Sequence, residues 1–221
     1  MARTIQIAWA PGERVTGRLA MPRDAGGCGV VLAHGAGAGQ DHPFIVTVRD
    51  GLASAGIGVL TFNYAYTQAG RRSPDRMPKL LNVHRAAAKR MATYVDRVVF
   101  AGKSMGGRVG SHLAGDEGWP AAGLVYLGYP LVAMGKGESR ATEHLEAIGV
   151  PQLFVAGTSD RLSPPDQIVP LAGRLPGADV YVVANGDHSF HVPKRSGTTD
   201  TVVLTTIVNV VAGWITGRIS V

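Results

Sequence analysis

The chain has 221 residues, of which 45% are hydrophobic and 17% are charged. This composition is ordinary for a globular protein and excludes a disordered or low-complexity chain. The length predicts one domain, residues 1–221, with a full hydrophobic core. The 22 basic and 16 acidic residues give a net charge of +6. We interpret this charge as a generally basic surface and expect no nucleic-acid partner, because no nucleic-acid-binding motif accompanies it.

The predicted elements alternate between strands and helices along the chain. An antiparallel hairpin is predicted first, since Ile5–Ile7 and Val15–Leu19 flank the turn residues Pro11 and Gly12. Strands are then predicted near 29–33, 57–62, 97–101, 122–127, 152–156 and 178–183, and helices near 43–55, 78–94, 104–114, 139–147, 165–174 and 199–216. This alternation predicts an α/β fold with a mostly parallel central sheet and helices on both faces.

The two ends of the chain give no indication of export or membrane insertion. Residues 1–5 lack the apolar core of a signal peptide. Residues 201–215 are apolar-rich, but polar side chains interrupt the run, and it is shorter than the ~20 residues that span a bilayer. The spacing of Val203, Ile207 and Trp214 predicts a terminal helix packed on the sheet. Cys28 is the only cysteine, so no intrachain disulfide can form, and we expect a cytoplasmic protein without a membrane partner.

The most informative stretch is residues 98–110, VVFAGKSMGGRVG. An apolar strand leads into Gly102-Lys103-Ser104-Met105-Gly106, and a helix-compatible segment follows. This is the pattern of a nucleophile elbow, which presents Ser104 on a sharp turn and aims the Met105 N–H at a developing oxyanion. A phosphate-binding loop would need glycine at position 97, where Arg97 stands.

A serine nucleophile needs a base and an orienting acid, in the chain order Ser, Asp or Glu, His. Asp160 follows the predicted strand at 152–156, and His188 follows the strand at 178–183. The carboxyl ends of parallel strands lie at one edge of the sheet, so the sequence predicts that Ser104, Asp160 and His188 meet there. His191 is the alternative base, and Asp166 and Asp187 are the alternative acids.

A glycine-rich loop, His34-Gly35-Ala36-Gly37-Ala38-Gly39, follows the strand at 29–33. A loop in this position supplies the second oxyanion donor, for which the Ala36 N–H is the candidate. Gly35 and Gly37 let the backbone approach a substrate closely. The dinucleotide-binding pattern fails, because it would need glycine at position 40.

These pieces resemble the α/β-hydrolase superfamily. The resemblance rests on His34-Gly35-Ala36-Gly37, Gly102-Lys103-Ser104-Met105-Gly106, Asp160 and Gly186-Asp187-His188. Within the superfamily the chain resembles the small dienelactone-hydrolase-like and carboxylesterase-like members. The run Gly-Lys-Ser-Met-Gly-Gly-Arg also resembles a domain in a subunit of chromatin-acetylation complexes, a branch in which some members act as scaffolds.

Two loops should border the site. Only about twenty residues separate Gly128 from Gly149, which leaves no room for a large lid and predicts an open site for small acyl groups. The loop from Tyr64 to Pro78 follows a strand, so Tyr64 is a candidate for substrate binding. Its arginines, at positions 71, 72 and 76, are either solvated or positioned to meet an acidic substrate.

The sequence therefore predicts a serine hydrolase that acts on small carboxylic esters, thioesters or lactones through an acyl-enzyme intermediate. We expect a small-molecule substrate and no metal or organic cofactor. His188 and His191 are three residues apart, but no further ligand cluster accompanies them. The alternative is a non-catalytic or weakly catalytic interaction module that retains the fold.

Overall fold

The structure, a computed structural model, describes residues 2–23, 25, 27–133, 135 and 137–219. Its strands are β1 (Arg3–Ala10), β2 (Glu13–Ala20), β3 (Cys28–Ala33), β4 (Gly58–Phe62), β5 (Arg97–Lys103), β6 (Gly123–Leu127), β7 (Gln152–Gly157) and β8 (Ala178–Val183). Its helices are α1 (Pro43–Ser54), α2 (Ala65–Gln68), α3 (Met77–Met91), α4 (Met105–Gly115), α5 (Glu143–Glu146), α6 (Pro165–Ala172) and α7 (Asp200–Arg218), with a 3₁₀ turn at Lys194–Ser196.

The strands form one sheet of eight in the order β1-β2-β4-β3-β5-β6-β7-β8. β1 and β2 form the predicted antiparallel hairpin, and β2 also runs antiparallel to β4. The remaining pairs, from β4 through β8, are parallel. The predicted α/β fold with a mostly parallel sheet is confirmed.

Apolar side chains cover both faces of the sheet, as β3, β4, β6 and β7 are buried along their whole length. On one face, α1 and α7 pack through residues such as Ile45 and Ile207. On the other face, α3, α4, α5 and α6 pack through residues such as Val83 and Val109. Strands enclosed on both faces read as continuous apolar runs, which is why they were visible in the sequence.

α7 packs on α1 and β7, with its buried face formed by Val203, Ile207, Val208, Val211, Ala212 and Ile215. The terminal helix predicted at 199–216 is therefore present with nearly the expected bounds. Within the described residues, α7 is the one helix whose length and apolar composition would suffice to cross a membrane, and 33% of that window is buried in the fold.

Two local predictions differ from the structure. The helix predicted at 139–147 is reduced to α5, because Val132 pairs with Ser139 and the Arg140 N–H donates to the Leu131 carbonyl. The bridge holds the backbone at Ser139 extended, a conformation that the first turn of a helix cannot have. The short helix α2 lies between Tyr64 and Pro78, where the sequence predicts a loop. Of the 128–149 connection, Met134 and Lys136 lie outside the described residues.

Candidate active site

Ser104 occupies a sharp turn between β5 and α4. Its backbone has φ 48° and ψ −115°, a left-handed conformation that costs energy for a residue with a side chain. Two glycines make the turn possible. A Cβ on Gly102 would lie 2.2 Å from the Gly107 nitrogen, and one on Gly106 would lie 2.6 Å from the Ala33 carbonyl oxygen. The close packing of β5, α4 and β3 thus fixes where the serine side chain points.

The structure brings the three predicted side chains into one chain of hydrogen bonds. Ser104 Oγ lies 2.9 Å from His188 Nε2, and His188 Nδ1 lies 2.8 Å from Asp160 Oδ2. A carboxylate only accepts hydrogen bonds, so Nδ1 carries the proton and Nε2 is left to accept from the serine hydroxyl. Ser104 follows β5, Asp160 follows β7 and His188 follows β8, all at the carboxyl edge of the sheet.

Asp160 is almost completely buried, with 2% of its surface exposed. Its Oδ1 accepts hydrogen bonds from the backbone N–H groups of Leu162 and Ser163, at 2.8 and 3.0 Å. Burial raises the pKa of this carboxyl, but the hydrogen bonds from His188 and the two backbone amides outweigh that effect, and the net pKa is lowered. Asp160 is therefore ionised, with both oxygens held in place.

A cavity of about 550 Å³ opens above Ser104 and His188, within the size range of small-molecule sites. One part of its wall is apolar, where Phe44 and Phe190 stack with their ring centres 5.9 Å apart. The other lining residues are Gly35, Ala36, Ala38, His42, Pro43, Ile45, Thr47, Lys103, Leu162, Ser189, His191, Asp200 and Leu204. Most of this wall comes from the segments after β3 and β8, together with α1 and the start of α7.

Of the predicted oxyanion donors, Met105 directly follows Ser104 and Ala36 lines the cavity. Met105 is the first residue of α4, and the first N–H groups of a helix have no partner within the helix. Ala36 and Gly35 line the cavity, whereas Gly37 does not and forms a turn at φ 73°. His34 holds this loop from below, since its Nδ1 lies 2.8 Å from the Gly35 carbonyl and its Nε2 accepts from the Tyr64 N–H.

Tyr64 is not where a substrate contact would require it. The side chain is completely buried, and its hydroxyl lies 3.0 Å from His84 Nδ1 in a cluster with Phe62. The sequence placed Tyr64 correctly after a strand, but the chain turns into α2 and directs the ring into the core. The prediction that it binds substrate is therefore corrected: Tyr64 is a core residue.

The arginine loop does not contribute to the cavity wall either. Arg71 pairs with Asp75 at 2.7 Å, while Arg72 and Arg76 are exposed. The one lysine or arginine among the described lining residues is Lys103, which the sequence did not identify as a site residue. Burial lowers the pKa of Lys103 to about 8, although Asp160 and Asp187 act in the opposite direction.

The alternative acids and base have other roles. Asp187 accepts from the N–H groups of Ser189 and His191 and so shapes the turn that carries His188. Asp166 lies in the first turn of α6. His191 Nδ1 lies 2.6 Å from Asp200 Oδ2, on the cavity wall but with no hydrogen bond to Ser104. Within the described part of the chain, no group of three or more His, Cys, Asp or Glu side chains is arranged to hold a metal ion.

Comparison with known proteins agrees with this architecture. A family model for the alpha/beta hydrolase domain matches residues 27–216. The fold is similar to a dienelactone hydrolase from Anabaena variabilis, with 18% identity over 99% of this chain and 98% of that one and a TM-score of 0.79. It is also similar to Est1E from Butyrivibrio proteoclasticus, with 16% identity over 99% of both chains and a TM-score of 0.75.

A third similar structure is XC6422 from Xanthomonas campestris, described as an α/β serine hydrolase without a lid. It shares 14% identity over 98% of this chain and 93% of its own, with a TM-score of 0.69. At these identities the likeness is one of fold. The resemblance to a domain of chromatin-acetylation complexes stays a prediction.

Proposed function

The chain belongs to the alpha/beta hydrolase domain family, and from this membership and the geometry of its site we propose that it is a serine hydrolase acting on small carboxylic esters, thioesters or lactones. The observation that carries the proposal is the hydrogen-bonded chain from Ser104 through His188 to the buried Asp160 at the base of the cavity. A helix-start serine without chemistry would have no need of an imidazole held at 2.9 Å by a buried carboxylate.

In the proposed reaction, Ser104 Oγ attacks the acyl carbon while His188 Nε2 takes its proton. Asp160 holds the imidazole in the required tautomer and stabilises the imidazolium that forms. The N–H groups of Ala36 and Met105 stabilise the negative charge on the substrate oxygen. The tetrahedral species then collapses, the leaving alcohol or thiol receives the proton from His188, and the acyl group remains on Ser104.

Water completes the cycle. His188 takes a proton from a water molecule that attacks the acyl-enzyme, and the same oxyanion donors stabilise the second tetrahedral species. Its collapse breaks the bond to Ser104 Oγ, which recovers its proton from His188, and releases the carboxylic acid. Each step uses the same three side chains, so one preorganised site serves both halves of the reaction.

Labelling with a fluorophosphonate probe tests the proposal directly. We expect the probe to modify Ser104, as located by mass mapping, and the label to be lost in Ser104→Ala. The matched control is Ser189→Ala, which removes the hydroxyl of a second serine in the cavity wall and should leave the label in place. Absence of label on folded protein, or equal labelling of Ser104→Ala, contradicts the proposal.

A further inference from the structure

Lys103 is the last residue of β5 and directly precedes Ser104. Its ammonium lies against Gly128, where a Cβ would be only 3.3 Å from Nζ. It also lies 5.6 Å from the ring centre of Phe190, a cavity residue. Gly128, at φ 70°, thus leaves the space that the lysine head occupies. The result is a cation at the wall of the cavity, next to the candidate nucleophile.

Among the described residues no carboxylate forms an ion pair with this cation, although Asp160 and Asp187 lie near enough to stabilise its charge. Across the part of the chain that the structure describes, Lys103 Nζ has neither a hydrogen bond nor an ion pair within 4.0 Å, whereas Arg71, Arg18 and Arg49 each have an acidic partner. The two nearby carboxylates, Asp160 and Asp187, are hydrogen-bonded to other groups. Asp160 is bonded to His188 and two backbone amides, and Asp187 is bonded to the backbone of its own turn.

The position of Lys103 also bears on the chemistry of His188. Asp160 Oδ2, Lys103 Nζ and His188 Cε1 lie 3.3, 3.3 and 3.4 Å from the same point, the place of a Cβ on Gly128. When His188 takes the serine proton, two positive charges would therefore lie near the single negative charge of Asp160, which is hydrogen-bonded to His188 and not to Lys103. An anion bound at Lys103 would supply a second negative charge and form an ion pair with an ammonium that otherwise faces the ring of Phe190.

We propose that Lys103 is the specificity-determining residue of the site and binds a carboxylate carried by the substrate, so that the substrates are anionic esters such as monoesters of dicarboxylic acids. This inference rests on the proposed function and narrows its substrate class. The carboxylate belongs either to the acyl half or to the leaving half of the ester. In both cases the carboxylate would bind the Lys103 ammonium in the same way, so a separate pair of substrates tests each case.

The test compares matched anionic and neutral esters. For the acyl half, the pair is mono-4-nitrophenyl adipate and its methyl ester; for the leaving half, it is 4-acetoxybenzoate and its methyl ester. The measured quantity is the ratio of kcat/KM for the anionic over the neutral member of each pair. Four proteins are compared: the unchanged chain, Lys103→Met, Lys103→Arg, and Lys89→Met as a control that removes one exposed positive charge from α3.

We expect the ratio for at least one pair to fall about 10- to 100-fold in Lys103→Met, the loss appropriate to a charge-assisted hydrogen bond. Lys103→Arg should restore much of it, and Lys89→Met should leave it unchanged. Because the bound carboxylate also offsets the charge on His188, we expect the loss to appear in kcat as well as in KM. Thermal melting checks that each variant folds.

Different results would overturn the role of Lys103 and the proposed hydrolase function. Hydrolysis of the neutral esters with ratios that do not change in Lys103→Met overturns the role of Lys103 and leaves the hydrolase intact. If no ester is hydrolysed, calorimetric titration with adipate and with 4-hydroxybenzoate decides the binding claim alone. Binding that weakens in Lys103→Met supports the anion site, and absent or equal binding in both proteins overturns it.

Discussion

Two histidine–carboxylate pairs have nearly the same local geometry, and both histidines line the same cavity. His188 Nδ1 lies 2.8 Å from Asp160 Oδ2, and His191 Nδ1 lies 2.6 Å from Asp200 Oδ2. Their surroundings differ. The Asp160 side chain is 0% exposed and His188 is 27% exposed, whereas Asp200 and His191 are 52% and 67% exposed. Only His188 reaches Ser104.

The comparison shows that a short bond to a carboxylate does not by itself identify a general base. Water competes for both members of the exposed pair, and such surface pairs contribute at most about 1 kcal/mol. The pKa of Asp200 is lowered first by the Val192 N–H and then by His191, so this carboxylate mainly anchors the start of α7. Burial and aim toward the serine distinguish the pair proposed to act in catalysis.

The largest expected effect separates the two histidines. His188→Gln removes the proposed base and should lower kcat about 10³-fold or more. His191→Gln should change kcat less than about threefold, because its ring is bonded to Asp200 and not to Ser104. Steady-state hydrolysis of 4-nitrophenyl acetate measures both. A comparable loss in His191→Gln would contradict the assignment of His188.

The next largest effect on kcat should separate the two carboxylates, Asp160 and Asp200. Asp160→Asn keeps the size of the side chain but favours the wrong imidazole tautomer, and we expect kcat to fall about 10²–10⁴-fold. Asp200→Asn should stay within about threefold of the unchanged chain. The kcat of each variant, measured beside its circular dichroism spectrum, gives the answer. An active Asp160→Asn enzyme would mean that another group orients His188.

A third environment extends the comparison, because three histidines are buried and none of them is bonded to a carboxylate within the described part of the chain. Burial lowers the pKa of His34 to about 4, of His84 to about 3 and of His144 to about 4. In the unfolded chain the histidine pKa is about 6.5. Below that pH the unfolded chain therefore binds more protons than the folded one. The stability that these buried neutral histidines contribute is fully present above about pH 6.5 and is lost as pH falls toward about 4.

Urea unfolding between pH 7.5 and 4.5 measures this loss. Each buried histidine contributes up to about 1.4 kcal/mol per pH unit to the slope of the free energy of unfolding. His144→Gln, which keeps a polar group near Ser111 and Tyr129, should flatten the slope. A pH-independent free energy of unfolding in the unchanged chain would show that these histidines bind protons in the fold as readily as in the unfolded chain.

The smallest expected effect concerns acyl length. The exposed His191–Asp200 pair lies on the cavity wall, and a chain that extends past it into solvent gains none of the ~0.8 kcal/mol that each buried methylene contributes. In a series of 4-nitrophenyl esters, kcat/KM should stop rising before about eight carbons, without interfacial activation. A steady rise beyond that length would reveal a buried acyl tunnel.

The sequence predicted the fold because its signals are local and repeated. Buried parallel strands appear as apolar runs, and the elbow at Gly102–Gly106 needs small residues where backbones touch. The strand ends then bring Ser104, Asp160 and His188 to one edge without any knowledge of packing. These inferences follow from chain order and the geometry of a parallel sheet.

The sequence could not show the direction of side chains in irregular segments. Tyr64 follows a strand as an edge residue would, but the four-residue helix α2 turns it into the core. Lys103 carries a related lesson: the sequence places it in the elbow directly before Ser104, and only its approach to Gly128 and Phe190 shows where its ammonium lies. Both outcomes depend on contacts between segments that are far apart in the sequence. A local sequence pattern does not reveal such contacts.

Ser104 and His188 are 84 residues apart along the chain, and this spacing has a consequence for biosynthesis. Ribosomes add about 5–20 residues per second, so the serine is made about 4 to 17 s before the imidazole that would activate it. α7, which supplies Asp200 and Leu204 to the cavity wall, is made later still. A nascent chain therefore carries an inert hydroxyl, and hydrolytic capacity arises only after the segments that enclose the cavity have been translated.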